Sequence, residues 1–306
     1  MKNYTIRKII TSATFPLKND AVIAWSEQLS DTFKAQLVLY GSVDADPNPY
    51  MALYGKENNN LLKSAMSRLQ DLGNSLHRAH SVKYLMESGK HWRNLVKQMR
   101  YEHTDLLVAG MPSLGDTTPG KLSVLMYNSP CPVLFVREGM LPAIPKKILV
   151  PVRLKDGLEQ KLPAVAAWAK ACGATVCLSA FAADDASARE KLRLYHLAEK
   201  MTNTLRASGI AVETETAHGF HFGTTMINRA EQLGVDLIGI AVEPTNFVLR
   251  LFTKMVGPYF LQHSSVPVLS VPMLQTLPEP ANGVQQLSAQ QENDGRQVTM
   301  APEMMI

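Results

Sequence analysis

The sequence contains no CxxC pair, no long run of basic residues and no apolar stretch near the roughly 20 residues that span a bilayer. Each absence excludes something. Cys131, Cys172 and Cys177 are the only cysteines, an odd number that cannot close a disulfide framework and that suits a reducing cytoplasm. The formal charge of +4 is spread over interspersed Lys, Arg, Asp and Glu, so no nucleic-acid footprint stands out. The opening residues, MKNYTIRKIITSATFPLKND, lack a sustained apolar core with a cleavage site. The expectation is a cytoplasmic protein with neither a membrane nor a nucleic acid as partner.

What is present is a chain of 306 residues with 46% hydrophobic content, enough for two cores, and a sequence that repeats itself. RKIITSA at 7–13 is answered by KKILVPV at 146–152, AQLVLYGS at 35–42 by ATVCLSAF at 174–181, TDLLVAG at 104–110 by VDLIGIA at 235–241, and SPCPVLFV at 129–136 by SSVPVLSV at 264–271. The order is kept while the offset drifts between 139, 131 and 135 residues, as expected of a duplicated unit that gained and lost loop residues. These apolar runs read as buried strands. The stretches between them carry helical periodicity, for example Leu158, Leu162, Val165, Ala169 and Cys172.

Near-continuous apolar strands alternating with helices predict a parallel sheet covered on both faces. The fold expected is α/β: two repeated, doubly wound, five-stranded parallel-sheet domains of Rossmann-like type. Each unit should run strand, helix, strand, long helix, strand, helix, strand, helix, strand. The third strands, SVKYLME at 81–87 and IAVETET at 210–216, alternate in polarity and should lie nearer an edge. Domain boundaries are placed at 1–138 and 146–272, with the proline-containing REGMLPAIP as linker. Residues 273–306, rich in Gln, Pro and Asn, cannot offset their ordering entropy and are expected to form a mobile tail.

Two such units, with KKILVPV, VDLIGIA and VPVLSV in these positions and with the endings NSPCPVLFV and HSSVPVLSV, resemble the universal stress protein family as a tandem member, over about residues 5–272. The resemblance implies a stress-response protein acting through protein partners and an internal pseudo-dimer in which the final strands PVLFV and PVLSV face each other, with further homo-oligomerisation open. Nucleotide-binding members carry an Asp after the first strand and, after the fourth, Gly, two residues, Gly, nine residues, Gly and Ser or Thr. Here the first unit offers Thr14 for the Asp, Gly110 and Ser113 for the first two glycines, and Pro119 with Gly120 for the final pair, in a loop about four residues short. The second offers Arg153, Ala241, Pro244, Lys254 and Met255. Side chains where backbone must approach phosphate argue against ATP in the second unit, leaving ATP or AMP to the first.

The first unit's loop, LGDTTPGKLS at 114–123, nearly spells a P-loop, but Leu122 stands where the magnesium-binding hydroxyl belongs. Its position between a strand and a helix N-terminus still suits an anion, which makes Thr117, Thr118, Gly120 and Lys121 the binding candidates. The leading reading is a non-enzymatic protein, with no catalytic residue and no metal assigned. The alternative is an ATP-binding sensor or weak ATPase using the loop Gly110–Lys121. A third reading is a scaffold that recruits partners through the tail. His218 and His221 lack a third metal ligand nearby, and no nucleophile elbow appears.

Overall fold

The computed structural model describes residues 4–13, 20–43, 56–76, 82–88, 91–115, 120–154, 158–242 and 256–272. The first half runs β1 (Lys8–Ala13), α1 (Asp20–Phe33), β2 (Gln36–Val43), α2 (Lys56–Ser75), β3 (Val82–Ser88), α3 (His91–Tyr101), β4 (Leu106–Gly110), α4 (Gly120–Asn128) and β5 (Val133–Val136). The second half repeats the order: β6 (Lys147–Val152), α5 (Leu158–Cys172), β7 (Thr175–Ala183), α6 (Ala188–Ala207), β8 (Val212–Gly219), α7 (Phe222–Leu233), β9 (Leu237–Val242), α8 (Val256–His263) and β10 (Val268–Pro272). This is the element order expected from the apolar runs. The strands join in one ten-stranded sheet, β3-β2-β1-β4-β5-β10-β9-β6-β7-β8, with the two polar third strands at its edges. Every neighbouring pair is parallel except β5 and β10, which meet antiparallel with Val268 opposite Phe135 and Leu269 opposite Leu134.

The repeated words of the sequence have repeated mechanical roles. Asp105 of TDLLVAG accepts the backbone N–H groups of Arg7 and Lys8 on Oδ2, at 2.8 and 3.0 Å. Asp236 of VDLIGIA does the same for Lys146 and Lys147, both at 2.9 Å. Each carboxylate thus registers the start of its first strand against its fourth. Before β5 the Ser129 hydroxyl donates to the Cys131 carbonyl at 2.5 Å, and before β10 Ser264 donates to the Val266 carbonyl at 2.6 Å. These short turns satisfy backbone groups that the helix-to-strand bend would leave buried.

Alternation along the strands splits the core into two layers. Ile9, Leu37, Val150 and Leu178 face α1, α2, α5 and α6, whereas Ile10, Val38, Leu149 and Cys177 face α3, α4, α7 and α8. The halves interlock on both faces. Phe33 of α1 meets Trp168 of α5 edge-on at 5.2 Å. On the opposite face α8 lies so close to α4 that a Cβ on Gly257 would sit 2.3 Å from the Met126 sulfur. Arg137, only 9% exposed, donates from Nη2 to the carbonyls of Leu261 and Ser264 at 3.0 and 3.1 Å, tying the end of β5 to the C-terminus of α8. Burial pushes the thiols of Cys131 and Cys177 up to about 12 and that of Cys172 to about 11, consistent with reduced packing residues. Among the described residues no helix is long and apolar enough to cross a membrane.

Candidate functional site

A parallel sheet opens a crevice where a central strand parts from one neighbour while keeping the other. β1 pairs with β2 as far as Ala13 but with β4 only as far as Thr11. β6 follows β7 to Val152 but leaves β9 after Leu149. The protein therefore has two equivalent crevices. Pro151 is tolerated in β6 for the same reason. The Lys147 carbonyl accepts from the Asp236 N–H, just before β9, so by alternation residue 151 also faces the β9 side, beyond the last residue paired with β9, where no ladder donor is required.

In the first half the crevice is polar. The Ser12 Oγ lies 2.7 Å from His91 Nε2, and the Ser42 Oγ lies 2.5 Å from His91 Nδ1. A neutral imidazole donates at one nitrogen and accepts at the other, so with that ring one serine donates a hydrogen bond to His91 and the other accepts one from it. Tyr40, tilted against His91 with centroids 5.3 Å apart, donates to Glu87 Oε2 at 2.9 Å, and Gln98 donates to the other oxygen at 2.5 Å. Burial and then the Glu87 carboxylate push the Tyr40 phenol far above its ordinary range. A hydroxyl beside a base is the first part of a nucleophilic site. At 4% exposure, however, Ser12 cannot meet a substrate carbonyl in this conformation. The triplet holds hydrogen bonds in place.

In the second half the same three positions are apolar. Pro151 replaces Ser12, Phe181 replaces Ser42, and Phe222, first residue of α7 as His91 is of α3, replaces the imidazole. Phe181 and Phe222 pack edge-to-face at 5.2 Å, and Phe222 continues to Phe260 at 6.0 Å. Arg153, which follows β6 directly, lays its guanidinium over the Phe222 ring at 4.2 Å from the centroid. A cleft of about 280 Å³ opens beside it, between the end of β7 and the start of α6. A second cleft of about 350 Å³ lies away from the crevice, along edge strand β8. There Arg229 pairs with Glu215 and holds that carboxyl below the usual range.

Gly110, half-buried, ends β4 beside Val136 of β5, and Ser113 is exposed in the loop that follows. The loop is anchored across the halves at Gly115 (φ +84°), whose N–H donates to the Gln262 carbonyl at 3.0 Å. Gly120 opens α4, exposed, and among the described residues no atom from outside its own helix lies within 4 Å of where a Cβ would stand. Lys121 follows it in α4, but its side chain lies outside the described residues, as do Thr14, Thr117 and Thr118 whole. In the second half Arg153 and Ala241 are described, and Pro244, Lys254, Met255 and the tail 273–306 are not. Gly110 and Gly120 thus flank the β4–α4 connection that holds Ser113, of which residues 116–119 lie outside the described residues. Ser12, Ser42 and His91 escaped the sequence reading, which looked for known motifs. Aligning the two repeats position by position signals them, because polar residues at the ends of buried strands face apolar counterparts. Among the described residues no three His, Cys, Asp or Glu side chains converge as metal ligands would.

The sequence matches no protein-family model and no curated protein. Solved structures do match. A universal stress protein from Archaeoglobus fulgidus DSM 4304 superposes with a TM-score of 0.65 at 12% identity, covering 88% of this chain and 97% of that one. A putative universal stress protein from Pseudomonas aeruginosa UCBPP-PA14 gives 0.61 at 16%, covering 87% and 93%. A functionally unknown protein from Pseudomonas aeruginosa PAO1 gives 0.58 at 15%, covering 87% and 92%. With two successive five-stranded α/β halves joined edge to edge, this chain has the fold of the universal stress proteins along most of its length.

Proposed function

We propose that this is a non-enzymatic, cytoplasmic stress-response protein that works through protein partners, with two units at 1–138 and 146–272 acting as an internal pseudo-dimer. In this reading the second unit has given up nucleotide binding. One observation carries it: at the end of β6, where an acid would grip a nucleoside, Arg153 instead lies 4.2 Å over Phe222, itself packed against Phe181. Ala241 at the end of β9 adds a side chain where backbone would have to meet phosphate.

A second reading is favoured by the exposure of Gly120 at the start of α4, since a helix N-terminus suits the phosphates of ATP or AMP. Thermal unfolding with millimolar ATP, ADP and AMP, with and without magnesium, separates the two. A ligand at 100 times its dissociation constant adds about 2.7 kcal/mol. The expected result is either no shift or one abolished by Gly120→Val and indifferent to Arg153→Gln. A shift that survives Gly120→Val but is lost with Arg153→Gln overturns the assignment of the second unit. Phosphate release above blank that disappears with Lys121→Ala overturns the non-enzymatic reading.

A further inference from the structure

β8 forms one of the two edges of the sheet. The Ala211 carbonyl accepts from the Val176 N–H at 2.9 Å, so along β8 the odd-numbered residues turn their backbone groups toward β7 and the even-numbered ones turn theirs outward. The outward Val212 carbonyl is taken by Arg206 Nη2 at 3.1 Å. Beyond it the N–H and C=O groups of Thr214, Thr216 and His218 point away from β7, with no strand of the described residues beside them. Edges are usually blunted by lysine, proline, a bulge or a covering segment. β8, VETETAHG, has neither lysine nor proline, and its register with β7 runs unbroken from Val212 to Gly219. Its two carboxylates are already paired, Glu213 with Lys147 at 2.9 Å and Glu215 with Arg229. On the α7 side, the cleft of about 350 Å³ between β8 and the side chains of Thr225, Asn228 and Gln232 leaves the edge open.

On the other face the edge is bordered by α6, which lies over β7 and β8. The Thr202 hydroxyl meets that of Thr214 at 2.9 Å and Arg206 reaches the Val212 carbonyl, so this side of the helix follows the edge. The same stripe, at spacings of three and four, continues through Glu199 and Tyr195 to Leu192. Tyr195 is 61% and Leu192 57% exposed. Two large apolar side chains thus stand in water beside a row of unpaired backbone groups, on the side where the next strand and helix of a larger sheet would lie.

We propose that β8 pairs antiparallel with β8 of a second copy of this chain, about a two-fold axis at Thr216, so that two ten-stranded sheets become one. Charge selects this register among those the outward groups permit. With Thr216 opposite its copy, Glu215 faces Ala217 and Glu213 faces Gly219 of the other molecule, while Thr214 faces His218. An axis at Glu215 sets that carboxylate against its own copy, and an axis at Thr214 sets Glu213 against Glu215; like charges directly opposite destabilise a pair. Two strand spacings of about 4.8 Å separate the two α6 helices, and the resulting ~10 Å is a helix-packing distance, which covers Leu192 and Tyr195. The contact uses β8 of both molecules at once, so it stops at a dimer. The proposal does not depend on whether either half binds a nucleotide.

The test is sedimentation of the full-length protein over a wide range of concentration, with amide exchange read at the same concentrations. A concentration-dependent dimer is expected, in which the amides of Thr214, Thr216 and His218 exchange more slowly than in the monomer. Thr216→Lys and Thr216→Glu, at an exposed position, each set like charges across the axis and should weaken the dimer at least about tenfold. An equimolar mixture of the two variants should restore it, because lysine then faces glutamate. Thr216→Pro removes an N–H that no described strand uses and should dissociate the dimer while keeping the parent's circular dichroism. A parent that stays monomeric overturns the proposal. So does a dimer indifferent to all three variants, or a mixture of the lysine and glutamate variants that stays monomeric. Protection of the Thr216 amide in a monomer, lost on deleting residues 273–306, gives the edge to that tail and overturns it too.

Discussion

Glu102 is a buried carboxylate shared by two lysines in the first half. It lies just after α3, 5% exposed, with Lys8 Nζ at 3.0 Å on one oxygen and Lys83 Nζ at 2.6 Å on the other. Lys8 also donates to its backbone carbonyl at 2.7 Å. Removing one partner of a buried ion pair costs about 3–5 kcal/mol. Here the two ammonium groups, 26% and 43% exposed, regain water when the carboxylate is lost, so Glu102→Gln should cost about 2–3 kcal/mol. The hydrogen bond from Lys83 is the main cause of a folded-state pKa lowered below the usual carboxylate value. A depressed acid contributes stability above its unfolded pKa of about 4.3 and loses it as pH falls through the folded value. Urea unfolding of parent and Glu102→Gln from pH 7 downward should therefore show a gap that is constant to about pH 5 and closes below about pH 4. A gap that stays the same size at pH 3 would refute the reasoning, because the glutamine would then be costing packing and not charge.

Two further predictions use the second copy as a template for the first. α1 and α3 are followed by Lys34 (φ +53°) and His103 (φ +50°), at positions where the second copy has Gly173 (φ +63°) and Gly234 (φ +58°). Lys34→Gly and His103→Gly should each raise stability by about 0.5–1 kcal/mol, since a left-handed Cβ costs more than glycine's added unfolded-state entropy; a loss in equilibrium unfolding would contradict this. Arg137→Met removes the guanidinium from the Leu261 and Ser264 carbonyls while keeping the bulk of the side chain. It should cost about 2–3 kcal/mol, with faster amide exchange in α8, which does not pair with β5, and not only in β10, which does.

The duplication made the sheet legible. Element order followed from apolar runs spaced by helical periodicity, and edge position followed from the alternation in 81–87 and 210–216. The pairing of β5 with β10 needed more than pattern: the resemblance of the two endings to a known family implied that these strands face each other, and the structure adds that they meet antiparallel. The candidate site was harder to read. Gly110, Ser113 and Gly120 come from motif spacing; in the structure Gly110 ends β4, Ser113 follows it and Gly120 opens α4, with residues 116–119 outside the described residues. Ser12, Ser42 and His91 are separated by 30 and 49 residues and form no motif; only strand pairing brings them together. The placement of Arg153 over Phe222 was hidden for the same reason, since they are 69 positions apart. Short-range chemistry such as the Ser129 and Ser264 turns repeats visibly, whereas side chains that meet across the sheet leave no local trace.

Whether the polar triplet of the first half is demanded by the fold or retained despite it can be decided by the copy that lacks it. Burying the Ser12 hydroxyl and half-burying Ser42 and His91 costs free energy that their hydrogen bonds only offset, and the second half fills the same space with Phe181 and Phe222 at 5.2 Å. His91→Phe alone should cost about 1–3 kcal/mol, because it leaves the Ser12 and Ser42 hydroxyls without the imidazole they now share. Adding Ser42→Phe removes one stranded hydroxyl and creates an edge-to-face pair like that of the second half, worth about 0.5–1.5 kcal/mol beyond its buried area. The double variant should therefore be more stable than His91→Phe alone, a positive coupling that a double-mutant cycle in urea reads directly. If it is, the fold has no need of the triplet, and its persistence in one copy points to what that crevice meets. If the double variant is no more stable than the sum of the single losses, Tyr40 and Glu87 beside it have shaped the first half around the imidazole, and the triplet is structural.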